Sequence, residues 1–182
     1  VSVGEAEAAL PLIRLIQQRY PDEQILVTTT TPTGSARIQA VLGDSVAHVY
    51  LPYDLPAIIQ RFLKQFRPKL AVFLEKEIWP NLFAAQQAIP LYVINARLSA
   101  RSARAYRKIP ALVKPALAQI KLIATQTEAD KNQFLSIGAS DTQLAVLGNI
   151  KFDITIAPEV LAEGKQLKQQ WGCLLYTSDA AD

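Results

Sequence analysis

The residues of this chain that could do chemistry follow directly on short apolar runs, where strands would end. Glu75 and Glu77 follow residues 70–74 in the stretch PKLAVFLEKEIWPN, and Asn95 and Arg97 follow residues 91–94. Asn149 and Lys151 follow residues 144–147, Tyr53 and Asp54 follow residues 46–51, and the hydroxyl-rich loop 30–34 follows residues 25–28. Glu5 stands behind the glycine of VSVGE. A glutamate behind a glycine turn and beside a helix N-terminus can act as general base, a role worth roughly 10²–10⁴ in rate. On the residue alone it reads more readily as a first-turn carboxylate that offsets the helix dipole, and Glu77 admits the same reading. Glu75 differs, because a carboxylate directly behind four buried-type residues must be paired or functional. Lys151 is its natural partner. The threonine loop reads either as an anion or sugar site at a helix N-terminus or as a plain turn.

Such residues need a frame that brings strand ends to one edge. An unbroken apolar run bounded by polar and turn residues marks a strand buried on both faces, as in a parallel sheet. The pattern predicts a helix over residues 5–20, interrupted by Pro11, and strands at 25–28, 46–51, 70–74, 91–94, 122–124 and 144–147. Between them, helices are predicted at 35–42, from Asp54 as cap to about 66, and at 79–88, with a serine–arginine segment over 98–106. Further helices are predicted at 110–119, with Pro115 absorbed, at 128–137 behind a capping box of Thr127, Glu128 and Asp130, and at 158–171. Strand and helix alternate with short loops. The fold class is therefore α/β, a Rossmann-like parallel sheet with helices on both faces and right-handed crossovers. In such sheets ligands bind at the carboxyl ends of the strands.

At 182 residues and 50% apolar, the chain suits one domain and the possible start of a second. No apolar run is long enough to span a bilayer, and no charged-then-apolar leader is read. Cys173 is the single cysteine, which leaves no disulfide framework and suits a reducing compartment. His48 is the single histidine and lies in an expected strand; one histidine builds no metal site of the usual kind, so no metal is expected. The absence of methionine and the opening VSVGE predict a fragment whose first strand is truncated. The net charge is +3, but residues 78–127 hold no acidic residue while Arg97, Arg101, Arg104, Arg107, Lys108, Lys114 and Lys121 all fall there. That basic face suits an anionic membrane surface or another polyanion, unless it is only a solvated helix side.

VSVGE (1–5), TTTTPTGS (28–35), VYLPYDLP (49–56), LEKEIWPN (74–81), NARLSARSARAY (95–106) and GNIKFD (148–153), in this order and spacing, resemble the amino-terminal domain of the bacterial 3-deoxy-D-manno-octulosonate (Kdo) transferases of lipopolysaccharide synthesis. The resemblance covers residues 1 to about 171. It implies the N-terminal half of a GT-B glycosyltransferase, which moves Kdo from CMP-Kdo to a lipid A precursor and inverts the anomeric centre. It makes Glu5 the general base and assigns Glu75 and Lys151 to transition-state stabilisation. It further implies an acceptor site drawn from Thr31, Thr33, Gly34, Tyr53, Asp54, Asn95, Arg97, Ser99 and Arg101. Lys76 stands where the family carries a small polar residue and is expected to point away from Glu75.

On this reading residues 1–157 form the acceptor-binding domain, and 158–171 form a helix leading to a missing donor domain that would hold CMP-Kdo. Residues 172–182 depart from the family and are expected to be non-native. The implied partners are a lipid A precursor, CMP-Kdo and an anionic membrane surface, with no cofactor and no nucleic acid. The implied location is the cytoplasmic face of the inner membrane, with the family's membrane anchor missing before residue 1. The chain alone is expected to be inactive. Two other readings remain: an epimerase-like GT-B nucleotide-sugar enzyme, and a non-catalytic module that docks on anionic lipid.

Overall fold

The computed structural model describes residues 3–75, 78–85 and 89–153. Glu77, Lys76, the helix expected at 158–171 and the tail 172–182 lie outside them. One compact unit runs from Val1 to Phe152. In chain order it contains α1 (Val3–Arg19), β1 (Leu26–Thr29), α2 (Pro32–Leu42), β2 (Ala47–Tyr50), α3 (Pro56–Phe66), β3 (Ala71–Leu74) and α4 (Pro80–Ala85). Then follow β4 (Leu91–Ala96), α5 (Ala100–Tyr106), α6 (Pro110–Ala118), β5 (Ile120–Thr125), α7 (Glu128–Ser136) and β6 (Leu144–Val146). The chain then makes a short 3-10 turn at Ile150–Asp153.

Local chemistry sets most boundaries. Thr31 caps α2 by accepting the Gly34 N–H at 3.1 Å, and Pro32 follows in the first turn, where its missing N–H costs nothing. Ser99 and Thr127 cap α5 and α7 in the same way. Pro11 lies inside α1 and Pro115 inside α6, each leaving one carbonyl without its helical donor. Two expected caps differ. Asp54 does not cap α3, whose cap position is Leu55 with no side-chain bond; its carboxylate reaches α4 instead. Asp130 does not close a box on Thr127, because its carboxylate accepts the Leu98 N–H at 2.9 Å and the Thr127 hydroxyl at 2.6 Å. The reciprocal box forms later, between Ser140 and Gln143.

All strand pairs are parallel. Among the described residues they divide into a two-stranded sheet, β1–β2, and a four-stranded sheet ordered β3–β4–β5–β6. Because β3 to β6 follow each other in space as in sequence, right-handed crossovers place the intervening helices on one face of that sheet. Their apolar sides form the larger core with Phe83, Leu91, Val113, Leu117, Ile123 and Phe134. A second core joins α1 and α2 through Ala6, Ala9, Leu10, Ile13, Ile38 and Leu42. β3 serves both: Ala71 and Phe73 pack on the first core and Leu74 on the second. Alternate residues of a strand point to opposite faces, so helices do cover both sides of β3. No helix among the described residues is long and apolar enough to cross a membrane.

Candidate functional site

The parallel arrangement gathers the strand ends at one edge. β3 and β4 pair Leu74 with Ile94, which sets Glu75 beside Asn95, and the Glu75 N–H donates to the Ile94 carbonyl at 3.1 Å. Both residues adopt the left-handed region, Glu75 just past the end of β3 at φ 65° and Asn95 inside β4 at φ 52°. Asparagine tolerates that conformation, whereas a glutamate there carries strain of about 1 kcal/mol or more and marks a site held by its surroundings. Asn95 also stands in a bulge: β4 advances from Val93 to Ala96 while β5 advances only from Ile123 to Thr125. One extra residue in a strand re-aims its side chain, as bulges near active sites do.

Asn95 is 4% exposed and ties three strand ends together. Its main-chain carbonyl accepts from Gln126 Nε2 at 3.1 Å, and its Oδ1 accepts the Ile150 N–H at 3.2 Å. The next residue, Lys151, donates its N–H to Asn149 Oδ1 at 3.0 Å. This fixes the base of Lys151. The lysine ammonium then lies 4.0 Å from where a side chain at Gly4 would begin, at the first turn of α1. Glu5 is the next residue, and Ala6 belongs to the core on which Leu74, the neighbour of Glu75, packs. A helix N-terminus and an ammonium together favour negative charge at this point, whether of a carboxylate or of an anionic substrate.

The residues expected at the acceptor fall into two groups. Tyr53 (82% exposed), Thr33, Arg97, Ser99 and Arg101 all present surface. Thr31, Gly34, Asp54 and Asn95 hold the scaffold. The Gly34 N–H is spent on Thr31. Asp54 Oδ1 accepts the Leu82 N–H at 2.8 Å and Oδ2 the Asn81 N–H at 3.1 Å, while Asn81 Nδ2 donates to the Asp54 carbonyl at 2.7 Å. The loop after β2 is thereby clipped to the helix that follows β3. Asp130 likewise pins the 97–99 loop, so the acid-free stretch of sequence is not acid-free in space. Sequence reasoning missed Gly4, Asn81, Gln126 and Asp130 as site-building residues. Gly4 and Asn81 carried a signal, their places in VSVGE and LEKEIWPN, and Asp130 was legible only as a helix-cap residue.

Residues 1–154 match the family model described as 3-deoxy-D-manno-octulosonic-acid transferase (Kdo transferase). This chain belongs to the Kdo transferase family. It is 45% identical over 172 residues to the 3-deoxy-D-manno-octulosonic acid transferase of Haemophilus influenzae, covering 93% of this chain and 40% of that protein. It is 34% identical to the Bordetella pertussis transferase, covering 90% of this chain and 39% of that protein. A probable mitochondrial 3-deoxy-D-manno-octulosonic acid transferase of Arabidopsis thaliana is also 34% identical, with 84% and 35% covered. The chain thus spans about 40% of the length of the first two of these Kdo transferases. In fold it is similar to the UDP-GlcNAc 2-epimerase of Neisseria meningitidis, with TM-score 0.56 and 18% identity, covering 94% of this chain and 52% of that one. The fold class expected of a Kdo transferase, half of a GT-B architecture, is the one observed.

Proposed function

We propose that this domain is the acceptor side of an inverting glycosyltransferase that moves Kdo from CMP-Kdo to a hydroxyl of a lipid A precursor. The observation that carries the reading is the Lys151 ammonium lying at the first turn of α1, beside Gly4, the residue before Glu5. Glu5 takes the proton of the acceptor hydroxyl, whose oxygen attacks the anomeric carbon of Kdo on the face opposite the phosphate. The bond to CMP breaks with its electron pair on the phosphate oxygen, which gives inversion. Lys151 and Glu75 flank the reacting centre and balance the charge that builds up there. Arg97 and Arg101, both exposed at the end of β4 and on α5, offer planar donors to the phosphates of the acceptor headgroup. The basic surface around them faces the anionic leaflet from which that lipid is drawn. CMP-Kdo itself is held largely by the donor domain of the full-length enzyme.

The test uses a full-length enzyme carrying this domain. Glu5→Gln should lower kcat by about 10²-fold or more with little change in KM for either substrate. Arg97→Glu or Arg101→Glu should raise the acceptor KM far more than the donor KM. A Glu5→Gln enzyme with wild-type kcat, or arginine variants that affect both KM values equally, would overturn these roles.

A further inference from the structure

Asn95 combines burial, a left-handed backbone at a bulge, and an unmet hydrogen-bonding group. Its Nδ2 is buried and has no partner, which holds for no other side-chain polar atom among the described residues. Buried donors of this kind call for an explanation. The other half of the same amide has a clear task, since Oδ1 holds the Ile150 N–H at 3.2 Å and so fixes the turn that carries Lys151. That task uses only the amide oxygen. The N–H bonds of the Asn95 side chain are surplus to the folded domain.

We propose that Asn95 is a positioning residue whose Oδ1 sets the Lys151 turn and whose Nδ2 donates to an oxygen of the bound sugar acid, so that one carboxamide couples cleft occupancy to the placement of the Lys151 ammonium. The identity of that ligand rests on the transfer reading above. The Asn95–Ile150 clasp does not.

Two variants of the full-length enzyme separate the parts. Asn95→Gly keeps the left-handed backbone and removes the carboxamide; amide hydrogen exchange at Ile150 and Lys151 should then speed up by about tenfold or more. Asn95→Asp keeps an acceptor for Ile150 and removes both N–H donors. Its exchange at Ile150 should stay slow, while kcat/KM near neutral pH should fall about 10²-fold, as for loss of a preorganised donor. That loss should shrink as pH is lowered, because the introduced carboxyl regains one O–H donor on protonation; a merely structural asparagine gives no such profile. Wild-type exchange at Ile150 in Asn95→Gly would overturn the clasp. Wild-type kcat/KM in Asn95→Asp at neutral pH would overturn the donor role. If the wild-type enzyme fails to transfer Kdo to a lipid A precursor, the proposed function falls and the donor role with it, but the Ile150 exchange still decides the clasp.

Discussion

Replacing Asp54 by alanine should destabilise the domain before it touches chemistry. The Asp54 carboxylate receives two backbone N–H groups at the start of α4, from Leu82 at 2.8 Å and Asn81 at 3.1 Å. Removing a capping side chain costs about 0.5–2 kcal/mol, and the lost charge at the helix N-terminus adds about 0.3–1. The site is half-buried, so water replaces these bonds poorly, and about 2–3 kcal/mol in all is expected. For a protein of this size that lowers Tm by about 5–10 °C. Asp54→Asn, which keeps one side-chain acceptor, should lose about half as much. Asn81→Ala removes the bond from Asn81 Nδ2 to the Asp54 carbonyl at 2.7 Å. Because these contacts form one network, the double variant Asp54→Ala/Asn81→Ala should be less destabilised than the two singles added together. Thermal unfolding and amide exchange across α4 give both quantities, and a transfer assay run below the new Tm gives the third. An Asp54→Ala enzyme that keeps its Tm within about 1 °C and still loses transfer would refute the capping account and return Asp54 to the acceptor.

Gly4 and Phe83 give two further checks. Gly4→Ala should leave transfer intact and hold or raise Tm, since alanine favours a helix over glycine by about 0.5–1 kcal/mol and its Cβ would lie 4.0 Å from Lys151 Nζ, an ordinary contact. Gly4→Phe should lower kcat at least about tenfold with Tm little changed, because its ring occupies the place of the ammonium; equal activity in both variants would remove Lys151 from the site. Phe83 is fully buried, with its ring 4.8 Å from that of Phe73 in a T-shaped contact, so Phe83→Ala should cost about 3–5 kcal/mol in chemical denaturation. A loss below about 1 kcal/mol would show that the larger core does not depend on this pair.

Much of the frame was legible because the apolar runs are short and sharply punctuated. Pro56, Pro80 and Pro110 each open a helix within a residue or two of the expected place, whereas α2 starts at Pro32, three residues before the expected 35, because Thr31 caps it; Thr127 caps α7 as its type predicts. The strands β4 and β5 run past their apolar residues, because Ala96 pairs with Thr125 and the ladder carries the polar ends along. Asp54 misleads for a physical reason. It stands just before Leu55-Pro56, where a helix cap belongs, but its partners lie 27 and 28 residues further on, and only packing reveals them. The same holds for Asp130 and Leu98, 32 positions apart. Glu75 was legible as a residue of consequence from its place behind an apolar run. Its left-handed backbone was not, since no glycine announces it.

The division of the strands into two sheets bears on how this domain behaves in a test tube. Among the described residues β1 bonds only to β2 and β3 only to β4, although AVFL is a sequence suited to the middle of a sheet. An apolar strand with one rail of N–H and C=O groups unclaimed is a template for other chains. Where those rails stay open, solubility rather than helix stability should limit handling of the domain. Mutations that blunt them with lysine would help recovery more than any that deepen the core.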